Sequence, residues 1–188
     1  ELKSLAPLHN PAHLTGYYAF KEAIPNAGAV GVFDTAFHQT LEPRCYIYPI
    51  PYKYYTDYKV RKYGAHGTSH FYVSQRAIDL LGNPEHSKII VAHLGAGGSL
   101  SAVKDGKSIN TSMGFTPLAG IMMGTRSGDV DPSVIDYLIE EVGMDMHEVI
   151  NMLNKESGLL GISGVSSDFR DVQNAAMEGN ERAQLAID

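Results

Sequence analysis

Apolar positions in this chain form short continuous runs in some stretches and helix-spaced stripes in others, a pattern typical of a mixed α/β domain. The clearest run covers residues 89–92, follows the turn signal Asn83-Pro84 and is followed by glycines. Its length and β-branched content predict a strand buried on both faces. A second run, residues 29–33, predicts another buried strand that ends directly at Asp34.

Helix-spaced apolar residues and capping signals predict most of the remaining elements. Pro132 after Asp131, a candidate N-cap, predicts a helix that Gly143 stops. Thr68 or Ser69 is the expected N-cap of a helix ending near residue 81. Residues 159–165 read as a glycine-broken apolar loop. The predicted helices cover about 13–24, 70–81, 132–142, 146–156, a segment capped by residues 166–168 and residues 180–188.

Three glycines, Gly95, Gly97 and Gly98, follow the run at 89–92 within a few residues. Glycines allow backbone N–H groups to approach a ligand closely, and phosphate is the usual ligand of such a bend. A plain hairpin turn is the alternative. Asp105-Gly106 signals a second hairpin, so we expect a unit of strand, glycine turn, strand, hairpin and strand. This differs from a Walker A loop or a dinucleotide-binding turn, each of which opens a helix.

Composition narrows the function classes. The 188 residues are enough for one ordinary domain or parts of two, and the formal charge of −6 disfavours nucleic-acid binding. The single cysteine, Cys45, fits a reducing cytoplasm, and no apolar run approaches a membrane span or a signal peptide. Tyrosines crowd residues 39–63, where we expect a linker or an extended arm that packs into a second lobe. The missing initial Met and the open helical end indicate a fragment.

Several polar residues are candidates for chemistry. Asp34 ends a predicted buried strand, a common active-site position, although a turn or N-cap role is equally open. His66 and His70 have zinc-ligand spacing, but the accompanying Glu is missing and Gly67 disfavours a helix there. His66 before a helix N-terminus can donate to an anion. Arg126, between two glycines, is either solvated or reaches an anion.

Six longer strings carry a resemblance to a known family. They resemble acetate kinase, and the similar propionate kinases share most of them. The strings are VFDTAFH at 32–38, YGAHGTSH at 63–70, HLG at 93–95, NTSMGFTP at 110–117, MGTRSGD at 123–129 and NKESGLLG at 154–161.

The resemblance implies an α/β fold of the actin-like ATPase, ribonuclease H-like type with two lobes, only partly present. Residues 1–38 would end the N-terminal lobe and residues 39–188 would form most of the C-terminal lobe, incomplete at its C-terminus. The implied reaction is reversible phosphorylation of acetate by ATP to acetyl phosphate and ADP. Mg²⁺, a cytoplasmic homodimer, and no nucleic-acid or membrane partner are implied with it.

The same resemblance implies residue roles. Asp34 would be the catalytic aspartate, while His66 and Arg126 would stabilise the transferring phosphoryl group. Nucleotide contacts would come from two segments, and a small carboxylate pocket from three residues. These are His93, Leu94, Gly95, Ala96 and Gly97 with Asp168, Phe169 and Arg170 for the nucleotide, and Leu8, Ala65 and Pro117 for the pocket.

Two departures and one absence limit these expectations. Ala96 stands where the family has Asn, which removes a phosphate contact, and Ala65 replaces a frequent Phe, which favours considering propionate. The metal ligands and the adenosine motif would lie outside these residues, so we expect no turnover from this fragment alone. Alternatives are propionate kinase, a non-catalytic actin- or Hsp70-type nucleotide-binding fragment, and metal-dependent hydrolysis by His66, His70 and Asp34.

Overall fold

The computed structural model describes residues 10–188, which form a mixed α/β structure. Nine α-helices, three strands and one short 3-10 helix at Ala36–Thr40 lie in this described part. The helices are α1 (Asn10–Ala23), α2 (Pro43–Tyr46), α3 (Lys53–Tyr58), α4 (Gly67–Leu80), α5 (Pro132–Glu140), α6 (Met146–Lys155), α7 (Gly158–Ser163), α8 (Phe169–Met177) and α9 (Glu181–Ile187).

The three strands form one antiparallel sheet in chain order, β1 (Lys88–Leu94), β2 (Gly98–Lys104) and β3 (Lys107–Thr111). The glycine bend closes the β1–β2 pair, where Leu94 faces Gly98, and Asp105-Gly106 closes the β2–β3 pair. Both hairpin residues have positive φ, 49° and 74°, as the sequence Asp-Gly favours. The predicted order of strand, glycine turn, strand, hairpin and strand is confirmed.

Strand β1 is not buried on both faces, so that prediction is wrong. Val91 is 4% exposed, whereas the neighbouring Ile90 is 71% exposed. Within residues 10–188, β1 is the edge of the sheet, pairing with β2 alone, and α4 packs against it. An apolar run cannot by itself distinguish a central strand from an edge strand, because both need β-branched residues.

The strand predicted at 29–33 is absent. Residues 28–33 have no regular structure, and Val30, Val32 and Phe33 are mostly exposed. A strand needs a neighbour for its backbone N–H and C=O groups, and no strand in the described part pairs with this segment. Asp34 therefore follows an exposed apolar segment without regular structure rather than a strand.

The helices follow the sequence pattern with three corrections. The short helices α2 and α3 lie within residues 39–63, where a linker or extended arm was predicted. Asp131 caps α5 by accepting the Ser133 N–H, as predicted. The cap of α4 is His66 in a left-handed conformation, not Thr68 or Ser69. Residues 158–163 form helix α7 where a loop was predicted, because the contacts of α7 with α9 override the poor helix propensity of its glycines.

Two of the buried regions differ in their chemistry. The C-terminal helices pack an apolar cluster around Val172, Ala183 and Ala186. Beside the sheet, by contrast, a set of histidines and serines is almost completely buried. We call it the polar seam; its members are His38, His70, Ser74, Ser99, Ser101 and Ser108.

A substitution at Gly158 tests how tightly α7 packs on the loop that carries Arg126. It has φ +63°, and a Cβ there would meet the carbonyl oxygens of Met123 and Arg126. We expect Gly158→Ala to lower the free energy of unfolding by about 2 kcal/mol more than Gly143→Ala, measured by urea unfolding. Gly143 is the matched control because its φ is +83° but no atom lies within 4 Å of its added Cβ. Equal losses in both variants would contradict this packing.

Candidate functional site

Three distant segments meet at the glycine bend between β1 and β2. The Gly95 N–H donates to the Gly97 carbonyl at 3.1 Å, which tightens the bend. A Cβ placed on Gly97 would lie 3.3 Å from Arg126 Nη1 and 3.5 Å from His66 Nε2. The structure therefore brings His66 and Arg126 together at this bend, on the side where Gly97 has no side chain.

Asp34 holds the N-terminus of α4 and thereby positions His66. Its Oδ2 accepts the His66 N–H at 2.6 Å, and its carbonyl accepts the Gly67 N–H at 2.8 Å. His66 has φ 57° and ψ 22°, a region that non-glycine residues seldom occupy. Such strain persists where surrounding bonds fix it, and here both bonds come from Asp34. Asp34 thus accepts from N–H groups far along the chain, rather than capping its own turn.

The imidazoles of His66 and His93 stack directly on each other. Their ring centroids are 4.0 Å apart with an interplanar angle of 27°. Each ring is fixed through Nδ1, which lies 2.8 Å from Ser99 Oγ in His66 and 2.9 Å from Ser69 Oγ in His93. The stack and these two contacts hold both rings in fixed orientations beside the bend.

Behind this stack, the polar seam keeps two further histidines neutral. Burial, together with the neighbouring His38, His66 and His93, lowers the pKa of His70 to about 4. Burial also lowers the pKa of His38, whose ring nitrogens contact Ser108 Oγ at 2.9 Å and the Ala65 carbonyl at 3.0 Å. Near neutral pH the seam therefore carries no charge and acts through hydrogen bonds.

Arg126 brings a positive charge to the bend. Its Nη1 donates to the Pro117 carbonyl at 3.1 Å and lies 3.6 Å from Met123 Sδ. Partial burial lowers its pKa, although a guanidinium stays protonated at neutral pH. None of the four ion pairs within residues 10–188 involves Arg126. Its charge is consequently available to an anion at the bend.

The two segments predicted to contact nucleotide lie next to each other. His93 to Gly97 forms the end of β1 and the bend, and Asp168 caps α8 by accepting the Arg170 N–H. Between them, the Gly124 N–H donates to the Ala96 carbonyl at 3.1 Å, and a Cβ on Gly124 would lie 2.8 Å from the Ser167 carbonyl oxygen.

Within the second segment, Asp168 and Arg170 form an ion pair with each other at the surface. Arg170 Nη2 lies 2.6 Å from Asp168 Oδ2, and the arginine side chain is 85% exposed. The guanidinium beside it lowers the pKa of Asp168 to about 2. Phe169 is 48% exposed. This geometry fits an exposed arginine, and a ligand contact by Arg170 stays a prediction.

The three residues predicted for a carboxylate pocket are only partly placed. Ala65 and Pro117 each direct a carbonyl to a site side chain, His38 and Arg126 respectively. Leu8 lies outside the described residues. A cavity of about 210 Å³ lies nearby, lined by Thr116, Leu118 and Ser127 among others, but neither Ala65 nor Pro117 lines it.

Sequence reasoning missed the serines that hold the histidines. Ser99, which contacts His66 and His70, and Ser101 occupy alternate buried positions of β2, and Ser69 in the first turn of α4 contacts His93. The period of two along β2 is a detectable signal, because a half-buried strand that turns serines inward must satisfy their hydroxyls. What the sequence cannot show is which histidine each serine contacts.

The described residues do not by themselves form a metal site. Within residues 10–188, no group of three or more His, Cys, Asp or Glu side chains could hold a metal ion. His66 and His70 both direct a ring nitrogen at Ser99. The zinc-like spacing of these histidines is thus explained by a shared hydroxyl.

The lowered pKa of His70 predicts a pH-dependent stability. Its value of about 4 lies below the ordinary 6.5, so the unfolded chain takes up this proton first as the pH falls. Stability present above pH 6.5 is then lost between about pH 6.5 and 4. We expect His70→Gln to abolish about 2 kcal/mol of the decrease in unfolding free energy between pH 7 and 5, by urea unfolding. The remaining decrease includes His38, and an unchanged decrease would contradict the assignment.

The family model described as the Acetokinase family matches residues 1–188. The chain is 60% identical over its whole length to an acetate kinase of Geobacillus kaustophilus and covers 48% of that protein. It is 62% identical over 97% of its length to an acetate kinase of Thermoanaerobacterium thermosaccharolyticum and covers 46% of it. The chain therefore spans about half the length of these relatives.

Solved structures agree with the family match. A propionate kinase from Francisella tularensis superposes with a TM-score of 0.95 at 52% identity, over 99% of this chain and 48% of that one. An acetate kinase from Porphyromonas gingivalis gives 0.91 at 50% identity, over 98% of this chain and 47% of that one. These neighbours have the actin-like ATPase fold, so the predicted fold class is confirmed. The chain, which spans about half the length of these relatives, belongs to the acetokinase family.

Proposed function

We propose that the complete protein carrying this chain transfers a phosphoryl group reversibly between ATP and acetate. In the forward direction, an acetate oxygen attacks the γ-phosphorus, the bond to the β–γ bridging oxygen breaks, and acetyl phosphate and ADP form. The observation that carries the proposal is the meeting of His66 and Arg126 at the side-chain-free Gly97. Membership of the acetokinase family supports it.

The residue types suit this chemistry. A carboxylate is already ionised at neutral pH, so the reaction needs no strong base to activate the nucleophile. The difficulty is to bring two anions together, and phosphoryl transfer depends mainly on positioning and charge stabilisation. Arg126 supplies a half-buried positive charge without an ion-pair partner in the described part of the chain. His66 supplies a ring nitrogen on the same side of the bend.

Asp34 and a metal ion complete the proposed site. We propose that Asp34 orients the acceptor carboxylate and the metal, beyond its observed role of holding His66. Mg²⁺ bound with the nucleotide would neutralise phosphate charge. Residues 10–188 contain no group of three ligands that could hold a metal ion, so the metal needs further ligands.

We propose that residues 93–97 and 168–170 contact the nucleotide, which their adjacency through Gly124 supports. Acetate is the proposed acceptor, and propionate is the second candidate because Ala65 is small and a Francisella propionate kinase is a structural neighbour. Trapping acyl phosphate with hydroxylamine, for acetate and propionate in parallel, distinguishes both from nucleotide binding without transfer.

Other features remain predictions of the sequence. They are the boundary between lobes near residue 38, the homodimer and the cytoplasmic location. No helix in the described part of the chain is long and apolar enough to cross a membrane.

Arg126 is the sharpest test of the proposed function. We expect Arg126→Ala in the complete protein to lower kcat for acetyl phosphate formation about 10²-fold or more, because one cation that stabilises the transferring group is lost. The effect should fall mainly on kcat, measured by the hydroxylamine assay.

Arg76→Ala is the matched control. Arg76 lies on α4 and forms an exposed ion pair with Asp79 at 3.2 Å, so the same substitution should leave kcat near the original value. A near-normal kcat in Arg126→Ala would remove this arginine from the mechanism.

A further inference from the structure

We infer that Ser99 and His70 act together to fix the tautomer of His66, so that His66 presents Nε2–H at the Gly97 bend. Ser99 Oγ lies between two imidazoles, 2.8 Å from His66 Nδ1 and 2.7 Å from His70 Nε2. Ser99 and His70 are both 0% exposed, so no solvent adjusts these bonds. The consequence for catalysis rests on the proposed function, whereas the hydrogen assignment does not.

The two contacts of Ser99 permit only three arrangements, because a hydroxyl has a single hydrogen. In the first, His70 donates from Nε2 to Ser99, and Ser99 donates to His66 Nδ1. In the second, the direction is reversed, and His66 donates from Nδ1 to Ser99. In the third, both histidines donate, and the Ser99 hydrogen has no acceptor among these two contacts.

The unpartnered atom of His70 decides between them. His70 Nδ1 is buried and has no hydrogen-bond partner within residues 10–188. In the second arrangement a neutral His70 must carry its proton on that atom, which leaves a buried N–H without an acceptor. In the third arrangement, the hydrogen of the buried Ser99 hydroxyl has no acceptor. Buried donors without acceptors are rare and costly, and only the first arrangement gives each side-chain hydrogen of Ser99 and His70 an acceptor.

The first arrangement determines what His66 offers at the bend. Its Nδ1 accepts from Ser99, so the proton of the neutral ring is on Nε2. That atom and Arg126 Nη1 both lie within 3.5 Å of a Cβ placed on Gly97. A neutral imidazole in the other tautomer would direct a lone pair there and repel an anionic oxygen. Ser99 and His70 are thus positioning residues that make His66 a hydrogen-bond donor.

Two neighbours of this relay are compatible with the assignment. His93 stacks on His66 but is held by a different hydroxyl, Ser69 Oγ. His38 packs against His70 at 5.7 Å between ring centroids, and its nitrogens contact Ser108 and Ala65. Neither ring takes the single hydrogen of Ser99, so the direction of the relay is set by His70 alone.

The direct test locates the hydrogens in the complete, unsubstituted protein by neutron crystallography near pH 7. We expect deuterium on His70 Nε2, on Ser99 Oγ directed at His66 Nδ1, and on His66 Nε2. Deuterium on His66 Nδ1 or on His70 Nδ1 would overturn the inference. This measurement requires no variant and does not depend on activity.

Substitutions then test whether Ser99 sets the tautomer of His66. Nitrogen-15 NMR of labelled histidines should show a single His66 tautomer in the unsubstituted protein and a mixture of both tautomers in Ser99→Ala. Ser101→Ala is the matched control, since Ser101 is an equally buried serine on β2 that contacts Ser108 and the Asn110 carbonyl instead. His70→Gln, which retains an N–H donor, should keep one tautomer. A single tautomer in Ser99→Ala would show that Ser99 does not impose it.

Kinetics connect the tautomer to the reaction. We expect Ser99→Ala to lower kcat on the order of tenfold with KM for acetate little changed, as for other groups that orient a site histidine. Ser99→Thr retains the hydroxyl and should recover most of kcat. If the unsubstituted protein forms no acyl phosphate, the proposed function fails while the neutron positions still decide the tautomer. An unchanged kcat in Ser99→Ala would overturn the positioning role.

Discussion

The hold of Asp34 on the first residues of α4 is the interaction on which the site depends. Both its carboxylate and its carbonyl accept N–H groups there, from His66 at 2.6 Å and Gly67 at 2.8 Å. Position 67 requires glycine, because a Cβ there would clash with the carbonyl oxygen of Asp34. The left-handed turn of His66 follows, and this turn directs the imidazole across β1 and β2 rather than along the helix.

Behind that turn, the protein uses polar groups where an ordinary domain would use apolar ones. The seam of histidines and serines is fully buried, and it lies where α4 meets the sheet. Such a network is costly when incomplete, since unpartnered buried polar groups lose hydration without compensation. It also fixes geometry more strictly than apolar packing, because each hydroxyl and ring nitrogen accepts a limited set of directions. Such a network can therefore fix the orientation of a histidine ring and of its two nitrogens.

Local signals in the sequence predicted much of the fold. The Asp-Gly hairpin, the glycine bend and the Asp131 cap depend on a few adjacent residues, and each is found in the structure. The failures concern partners distant in the chain. The segment at 29–33 has strand-like residues but no neighbouring strand in the described part, and α7 forms because α9 packs on it.

The site likewise combines features that adjacent residues predict with features that depend on distant partners. Asp34, His66 and Arg126 could be selected from their motifs, while their meeting at Gly97 could not be derived from spacing. The sequence gives no signal for the role of Ser99, because a serine in a strand is common and its two histidine contacts are visible only in the structure. Sequence patterns therefore identify the reactive side chains more readily than the groups that orient them.

The central claim is that His66 and Arg126 bind one phosphoryl group at the Gly97 bend. A crystal structure of the complete protein with ADP, Mg²⁺, acetate and a planar fluoroaluminate tests it most directly. The account predicts that the fluoroaluminate lies within hydrogen-bond distance, about 3.2 Å, of both His66 Nε2 and the Arg126 guanidinium. A fluoroaluminate bound between ADP and acetate but beyond hydrogen-bond distance of these side chains would contradict it.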